Sequence, residues 1–322
     1  MSRKLIIGAG GQIGSELTFK LRELYGDDTV VASDINAQNG DIANSGLFEI
    51  LDAEDFDSVK NCVVKHNIDT IYLMAAMLSA TGEKYPMKAW DLNMNSLFHV
   101  LNLAKEGIIK KIFWPSSIAV FGKTTPSENT PQHASMEPAT VYGITKQAGE
   151  RWCEYYYNNH GVDVRSIRFP GIISWKTMPG GGTTDYAVEI YHKAILEKSY
   201  ECFLNAKTEL PMMFMEDAIA SMVQLMQVPA EQISVRSSYN LSAISFTPEE
   251  ISNEIKKHIP DFTISYKSDF RQQIADSWPK SIDDSKARSD WNWNHKFDLE
   301  KITSEMLFQL KNKYQNSHLE ID

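Results

Sequence analysis

Cysteine, positive charge and long apolar runs are all scarce in this chain, and each shortage excludes something. Only three cysteines occur in 322 residues: Cys62, Cys153 and Cys202. An odd number at wide spacing argues against a disulfide framework and fits reduced thiols in the cytoplasm. No Cys-x-x-Cys pair and no histidine cluster with ligand spacing occurs, so no metal site is expected. Lysine and arginine number 32 against 42 acidic residues, a formal net charge of −10. With a pI near 5.4, that balance argues against nucleic acid or an anionic membrane as partner. No apolar run approaches the roughly 18–20 residues that a membrane-spanning helix needs. The opening "MSRKLIIGAGG" enters a strand at once, so neither a signal nor a transit peptide is expected.

What is present has a clear rhythm. Short β-branched runs end at Gly8, Asp34, Leu51, Ala75, Ser117 and Pro170, with helical patterns at 13–25, 55–66, 88–106 and 139–159 between them. Such alternation predicts an α/β fold, a doubly wound Rossmann-type parallel sheet. After Pro170 the rhythm breaks, with Pro179, Pro211, Pro248, Pro260 and Pro279 as punctuation. A smaller mixed α/β substrate-binding region is therefore expected over 175–211 and 245–316. Residues 1–174 would form the cofactor-binding domain, and 212–244 would return to it through a covering helix at 217–227. The final stretch, "KNKYQNSHLEID", reads as a frayed polar tail.

The first strand runs into "IIGAGGQIG", which opens the first helix. Gly8, Gly11 and Gly14 allow a tight turn, close approach of a pyrophosphate and close helix packing, and the helix N-terminus favours an anion. The spacing is Gly-x-x-Gly-x-x-Gly, with Ile13 where a shorter fingerprint would place its last glycine. Asp34, at the end of the second strand, can accept hydrogen bonds from the adenosine ribose and would repel a 2′-phosphate. NAD is thus expected in preference to NADP. The other candidate cofactor contacts are Gln12 and Ile13 in the helix turn, Ile35, Asp52 and Ala53, Leu73 and Ala75 after the fourth strand, and Pro170.

A catalytic set follows. Ser117 ends a strand in "PSSIAVFG", and the next helix opens with "YGITK", Tyr142 to Lys146. Residues four apart share a helix face, so both can meet one ligand. An ammonium beside the phenol is expected to draw its pKa from about 10 toward neutrality. The tyrosinate could then take a proton from an alcohol while hydride leaves the same carbon. Ser117, assisted by Ser116, would orient the oxygen.

This order of glycine loop, Ser and Tyr-x-x-x-Lys resembles the extended short-chain dehydrogenase/reductase family, relatives of the nucleotide-sugar epimerases, over nearly the whole chain. The resemblance implies that Asn93 kinks its helix and supports Lys146 and the cofactor through water. "SIDDSKARSDWNWN" is similar to a C-terminal segment of that family, with Asn292 where glycine is usual. A sugar diphosphate needs cationic anchors, yet Leu210, Pro211 and Met212 stand where the family's Arg is expected, and no Asn follows Arg168 closely. "TMPGGGTTDYAVEIY" and "YLMAAMLSATGE" instead resemble the short-chain, non-zinc L-threonine dehydrogenase branch. That likeness implies oxidation of L-threonine to 2-amino-3-oxobutyrate, with a nucleotide-sugar epimerase or dehydratase as the alternative. Gly180, Gly181 and Gly182 would let backbone approach the substrate carboxylate. Thr183 or Thr184 would cap the helix behind them, and Asp185 would serve its dipole or meet the ammonium. Ser79 is a further candidate at the sheet edge. The resemblance also implies a homodimer built on the helices at 88–106 and 139–159.

Overall fold

The computed structural model describes residues 3–36, 40–178 and 180–319. Pro179, read above as a break, and the end of the tail beyond 319 lie outside the described residues. The strands are β1 (Arg3–Ile7), β2 (Val30–Asp34), β3 (Phe48–Ile50), β4 (Ile68–Leu73), β5 (Lys111–Ser117), β6 (Asp163–Phe169), β7 (Gly171–Ile173), β8 (Ser199–Cys202), β9 (Leu210–Phe214), β10 (Tyr239–Asn240), β11 (Ile244–Phe246) and β12 (Thr263–Tyr266). The helices are α1 (Gln12–Tyr25), α2 (Gly40–Asn44), α3 (Phe56–His66), α4 (Ser79–Lys84), α5 (Pro86–Lys105), α6 (Val141–His160), α7 (Tyr186–Leu196), α8 (Met215–Gln227), α9 (Pro248–His258), α10 (Phe270–Ala275), α11 (Ser285–Trp291) and α12 (Leu299–Leu319).

One sheet of seven strands, in the order β10-β6-β5-β4-β1-β2-β3, organises the molecule. Every pairing in it is parallel. Alternation along β1 shows how both faces are buried. Leu5 and Ile7 pack with Val31, Ile71, Leu97 and Leu101. Ile6 points the other way, to Leu17, Leu21 and Met222. Helices therefore cover each face, and the chain reverses direction of winding between β1 and β4, where such folds bind ligands.

A smaller sheet, β11-β9-β7, and the parallel pair β12-β8 accompany α7, α9 and α12 around a third core containing Tyr186, Tyr191, Phe214 and Met306. β10 pairs with β6, and α8 lies against α1.

Local chemistry sets the helix ends. Thr140 Oγ1 accepts from Gly143 N at 3.1 Å at the start of α6, and Gly161 closes that helix in the left-handed region. Thr247 and Glu250 form a capping box on α9, behind Pro248. Asn292 ends α11 at φ 57, the conformation for which glycine is usual and which asparagine also adopts. The tail expected to fray is helical instead, since α12 runs to Leu319. Contacts of its polar stretch explain this: Tyr314 Oη lies 2.7 Å from His192 Nδ1, and Lys313 Nζ donates to Lys176 O at 3.3 Å.

Candidate active site

The glycines of the first turn divide the work. Gly8 has φ +88, and a Cβ there would stand 2.5 Å from Ala75 N, so β4 can close against the turn only beside glycine. A Cβ on Gly14 would lie 2.2 Å from Gly8 O. Gly11 differs, because its Cβ would meet only Gly8 O at 3.5 Å, leaving that side open. Gly11 is also the N-cap of α1, and no side chain caps the helix. An open, uncapped helix start above a tight turn fits a pyrophosphate.

Asp34 binds this loop directly, which the sequence did not disclose: its Oδ2 accepts from Gly10 N at 2.9 Å. The carboxylate is thereby held against the glycine turn, at the end of β2. Asp34→Ser should weaken the preference for NAD over NADP by about 2–4 kcal/mol, the combined worth of lost hydrogen bonds and lost repulsion. Comparison of kcat/KM for the two cofactors checks this, and equal use of both by the parent protein would sink it.

The remaining cofactor candidates are spread along the same edge. Gln12 and Ile13 lie in the first turn of α1. Met74 N and Ala75 N both donate to Ile7 O. Leu73 is 1% exposed, so only its backbone can face a ligand. Ile35 is largely exposed, Ala53 is buried, and Asp52 accepts from Glu54 N at 2.9 Å. Pro170 is buried between β6 and β7.

Ser117, Tyr142 and Lys146 meet where β5 ends and α6 begins. Ser117 Oγ accepts from Ala119 N at 3.2 Å, and its side chain hydrogen-bonds that of Tyr142. Lys146 is 2% exposed. Its Nζ donates to Pro115 O at 2.6 Å and stands 4.5 Å from the Trp114 ring centre and 5.5 Å from that of Tyr142. The expected lowering of the phenol does not arise from this pair. Burial pushes Tyr142 up to about 12, with the Ser117 bond pulling the other way. Burial also brings Lys146 down to about 7, against the charges of Cys153 and Glu150. Both groups have lost water, and desolvation disfavours each charged form.

Asn93 ties α5 to its surroundings by direct bonds. Helix α5 is continuous through it, and its side chain makes direct bonds. Oδ1 accepts from Met77 N at 2.8 Å, while Nδ2 donates to Met77 O and to Thr145 Oγ1, each at 3.1 Å. It pins the loop after β4 to the neighbour of Lys146. Two residues on, Ser79 starts α4, which lies against α6. From α4, Glu83 Oε1 accepts from Val141 N at 2.7 Å, beside Tyr142. Only tertiary structure brings Glu83 and Val141 together, so no sequence spacing marked them.

Ser116 needs correction. Successive strand residues face opposite ways, and Ser116, 2% exposed, donates to Glu150 Oε1 at 2.6 Å. It supports a buried ion pair rather than a substrate oxygen. Glu150 receives two bonds from Arg168, at 2.8 and 2.7 Å. Arg168 also donates to Gln132 O and Asn240 Oδ1. That guanidinium is fully engaged, and β9, with Leu210, Pro211 and Met212, is buried along its length. Neither place offers a cation to a diphosphate.

The glycine–threonine loop is organised otherwise than expected. Neither Thr183 nor Thr184 caps α7; the N-cap is Asp185, and no side-chain cap bond is made. Asp185 Oδ2 turns back instead and accepts from Gly180 N at 2.7 Å and Gly182 N at 2.8 Å. The carboxylate thus makes two charge-assisted hydrogen bonds to backbone N–H groups of the loop. Thr183 is buried. Thr184 packs on Gly171, where a Cβ would come 2.7 Å from its methyl carbon. Gly171 follows Phe169 by two residues, and Phe169 is in register with Ser117. The loop root thus comes near the end of β5 that carries Ser117.

Comparison with known proteins gives the family. An uncharacterized epimerase/dehydratase of Staphylococcus haemolyticus is 47% identical over 98% of this chain and 100% of its own length. A structure of a partial consensus L-threonine 3-dehydrogenase is 54% identical, with a TM-score of 0.94, covering 96% of this chain and 99% of that one. A GalE-like L-threonine dehydrogenase from Cupriavidus necator, in its holo form, is 52% identical with a TM-score of 0.93, again over 96% and 99%. The sequence pattern of the NAD dependent epimerase/dehydratase family matches residues 4–242, from β1 through the Ser117, Tyr142 and Lys146 set to β10, and the chain belongs to that family.

Proposed function

We propose that this protein oxidises L-threonine to L-2-amino-3-oxobutyrate with NAD+ as acceptor, in threonine breakdown. The observation that carries this reading is the full-length likeness to L-threonine dehydrogenases at more than half identity. The engagement of Arg168 by Glu150, Gln132 and Asn240, and the uncharged β9, support it, since a sugar diphosphate would find no free cation at either place.

Gly8, Gly11, Gln12, Ile13 and Gly14 would hold the pyrophosphate and Asp34 the adenosine ribose. When bound, NAD+ supplies the hydride acceptor and a positive ring charge that favours phenolate. Ser117 Oγ positions the substrate hydroxyl by a hydrogen bond. Tyr142 Oη removes its proton as hydride leaves Cβ. With NAD+ bound, Lys146, buried one turn on, would hold the nicotinamide ribose and, in its ammonium form, favour the phenolate. Residues 180–185 and Ser79 would take the charged end of the amino acid.

Scanning L-amino acids and sugar nucleotides for NADH formation tests the reading, and turnover of a sugar nucleotide in place of L-threonine would overturn it. The loop gives a second check. Thr184→Ala should raise KM for L-threonine by one to two powers of ten, about 1–3 kcal/mol for an unmet charged partner, with NAD affinity nearly unchanged. Gly181 sits at φ +91 in open space, so Gly181→Val should damage activity through backbone strain rather than collision. Equal loss of threonine and NAD affinity in Thr184→Ala would make the loop scaffolding.

A homodimer is part of the proposal. On the neighbouring helices α5 and α6, Met87, Trp90, Ile144, Trp152 and Tyr155 are all exposed, apolar surface that a partner copy would cover. Light scattering should give twice the 36.5 kDa chain mass; a monomer at micromolar concentration would refute it.

A further inference from the structure

Glu16 is a carboxylate on the cofactor helix that the reaction above leaves without a task. It lies one turn beyond Gln12 on α1 and is only 8% exposed. Its partners come from 158 and 160 residues away in sequence. Ser174 Oγ donates to Glu16 Oε1 at 2.8 Å, and Lys176 Nζ stands 3.0 Å from Oε2. Lys176 N donates to Ser174 Oγ at 3.2 Å, closing a three-residue ring of bonds. Ser174 and Lys176 begin the segment that leads from β7 to the glycine–threonine loop. Glu216 of α8 lies within electrostatic reach of both Glu16 and Lys176, and Glu305 of α12 acts on Glu216 in turn.

The loop is therefore held at both ends by carboxylates, and the two differ in where they are rooted. Asp185 belongs to the loop's own helix, α7. Glu16 belongs to α1, whose open N-terminus faces the cofactor cleft. Any adjustment of α1 toward a pyrophosphate moves the anchor of Ser174 and Lys176 with it, because a helix of 14 residues transmits displacement along its axis as a rigid element. A buried carboxylate stripped of these partners would carry an uncompensated charge, which keeps the tie closed.

We propose that Glu16 is a positioning residue that couples occupation of the cofactor site at the start of α1 to the order of residues 174–178 and 180–185, through its tie to Ser174 and Lys176. The inference rests on the reading that this loop takes the substrate.

Hydrogen exchange of peptides spanning 8–14 and 174–185, with and without NADH, tests it in the full-length protein. In the parent, NADH should slow exchange in both segments. In Glu16→Ala it should still protect 8–14, while protection of 174–185 falls at least about fivefold. KM for L-threonine should rise about tenfold with kcat changed less than about threefold. Glu16→Gln keeps an acceptor for Ser174 and should restore part of the loop protection. Lys176→Met, which changes no residue of α1, should reproduce the loss of loop protection if Glu16→Ala folds poorly. Undiminished loop protection in both Glu16→Ala and Lys176→Met would overturn the proposal. So would equal loss at 8–14, which would make Glu16 a residue that merely folds α1. If the parent fails to oxidise L-threonine, the functional reading falls, yet the exchange pattern still decides the coupling.

Discussion

Tyr142→Phe should lower turnover at least about a hundredfold, the low end for loss of a general base, while NAD affinity stays within about twofold of the parent. The substitution removes one oxygen and keeps the ring. Lys146, 5.5 Å from that ring centre and bonded to Pro115 O, keeps its place. Ser117 retains its bond from Ala119 N. The loss would therefore measure proton removal and little else. A pH profile adds a second reading. Burial holds the phenol near 12 in the free protein, and kcat/KM reports groups of the free enzyme. The parent's kcat/KM should accordingly climb toward alkaline pH, where phenolate becomes accessible, and the variant's residual activity should lose that climb. Turnover within a few-fold of the parent would show that another group takes the proton.

Much of this site was legible because its signals are local. Glycines three apart mark a turn between a strand and a helix whatever else surrounds them, and Tyr142 and Lys146 share a face because helices repeat. The parallel sheet followed from apolar runs long enough to be buried on both faces. Charge partnerships were harder, because they depend on what the fold brings near. Asp34 was read toward a ribose, and Gly10 N was not foreseen. Asp185 was read toward a helix dipole or an ammonium, while its carboxylate closes the loop on Gly180 and Gly182. Glu16 and Glu83 find partners 158 and 58 residues away, beyond any spacing rule. Ser116 is a different kind of miss. Strand alternation already separates it from Ser117, and the expectation that both serve one oxygen ignored that period. The tyrosine–lysine pairing was assigned by type alone, and only burial and geometry show where the ammonium's proton goes.

That lysine gives the other large effect. Lys146→Met should abolish most turnover, again by about a hundredfold or more, and yet raise stability at neutral pH. Lys146 is buried, its ammonium brought down to about 7 from an ordinary 10.5. Between those values the unfolded chain binds a proton that the folded chain has released. Stability due to this group therefore rises with pH across the window from about 7 to 10.5, and is lowest at and below neutrality. Each factor of ten in that proton affinity is worth about 1.4 kcal/mol. Against the gain stand the bond to Pro115 O, about 1 kcal/mol, and the contact with the Trp114 face, about 1–2 kcal/mol for a desolvated cation. A net stabilisation of about 1–2 kcal/mol at pH 7 remains, because methionine fills the same space without a charge to desolvate. Thermal unfolding at several pH values checks both parts. The parent's midpoint should rise between pH 7 and 10 relative to the variant, and the variant should melt a few degrees higher at pH 7. A variant that melts lower at pH 7, with the difference unchanged at pH 10, would mean that Glu150 and the Trp114 face make the ammonium a structural cation, and that burial does not hold it near its point of titration.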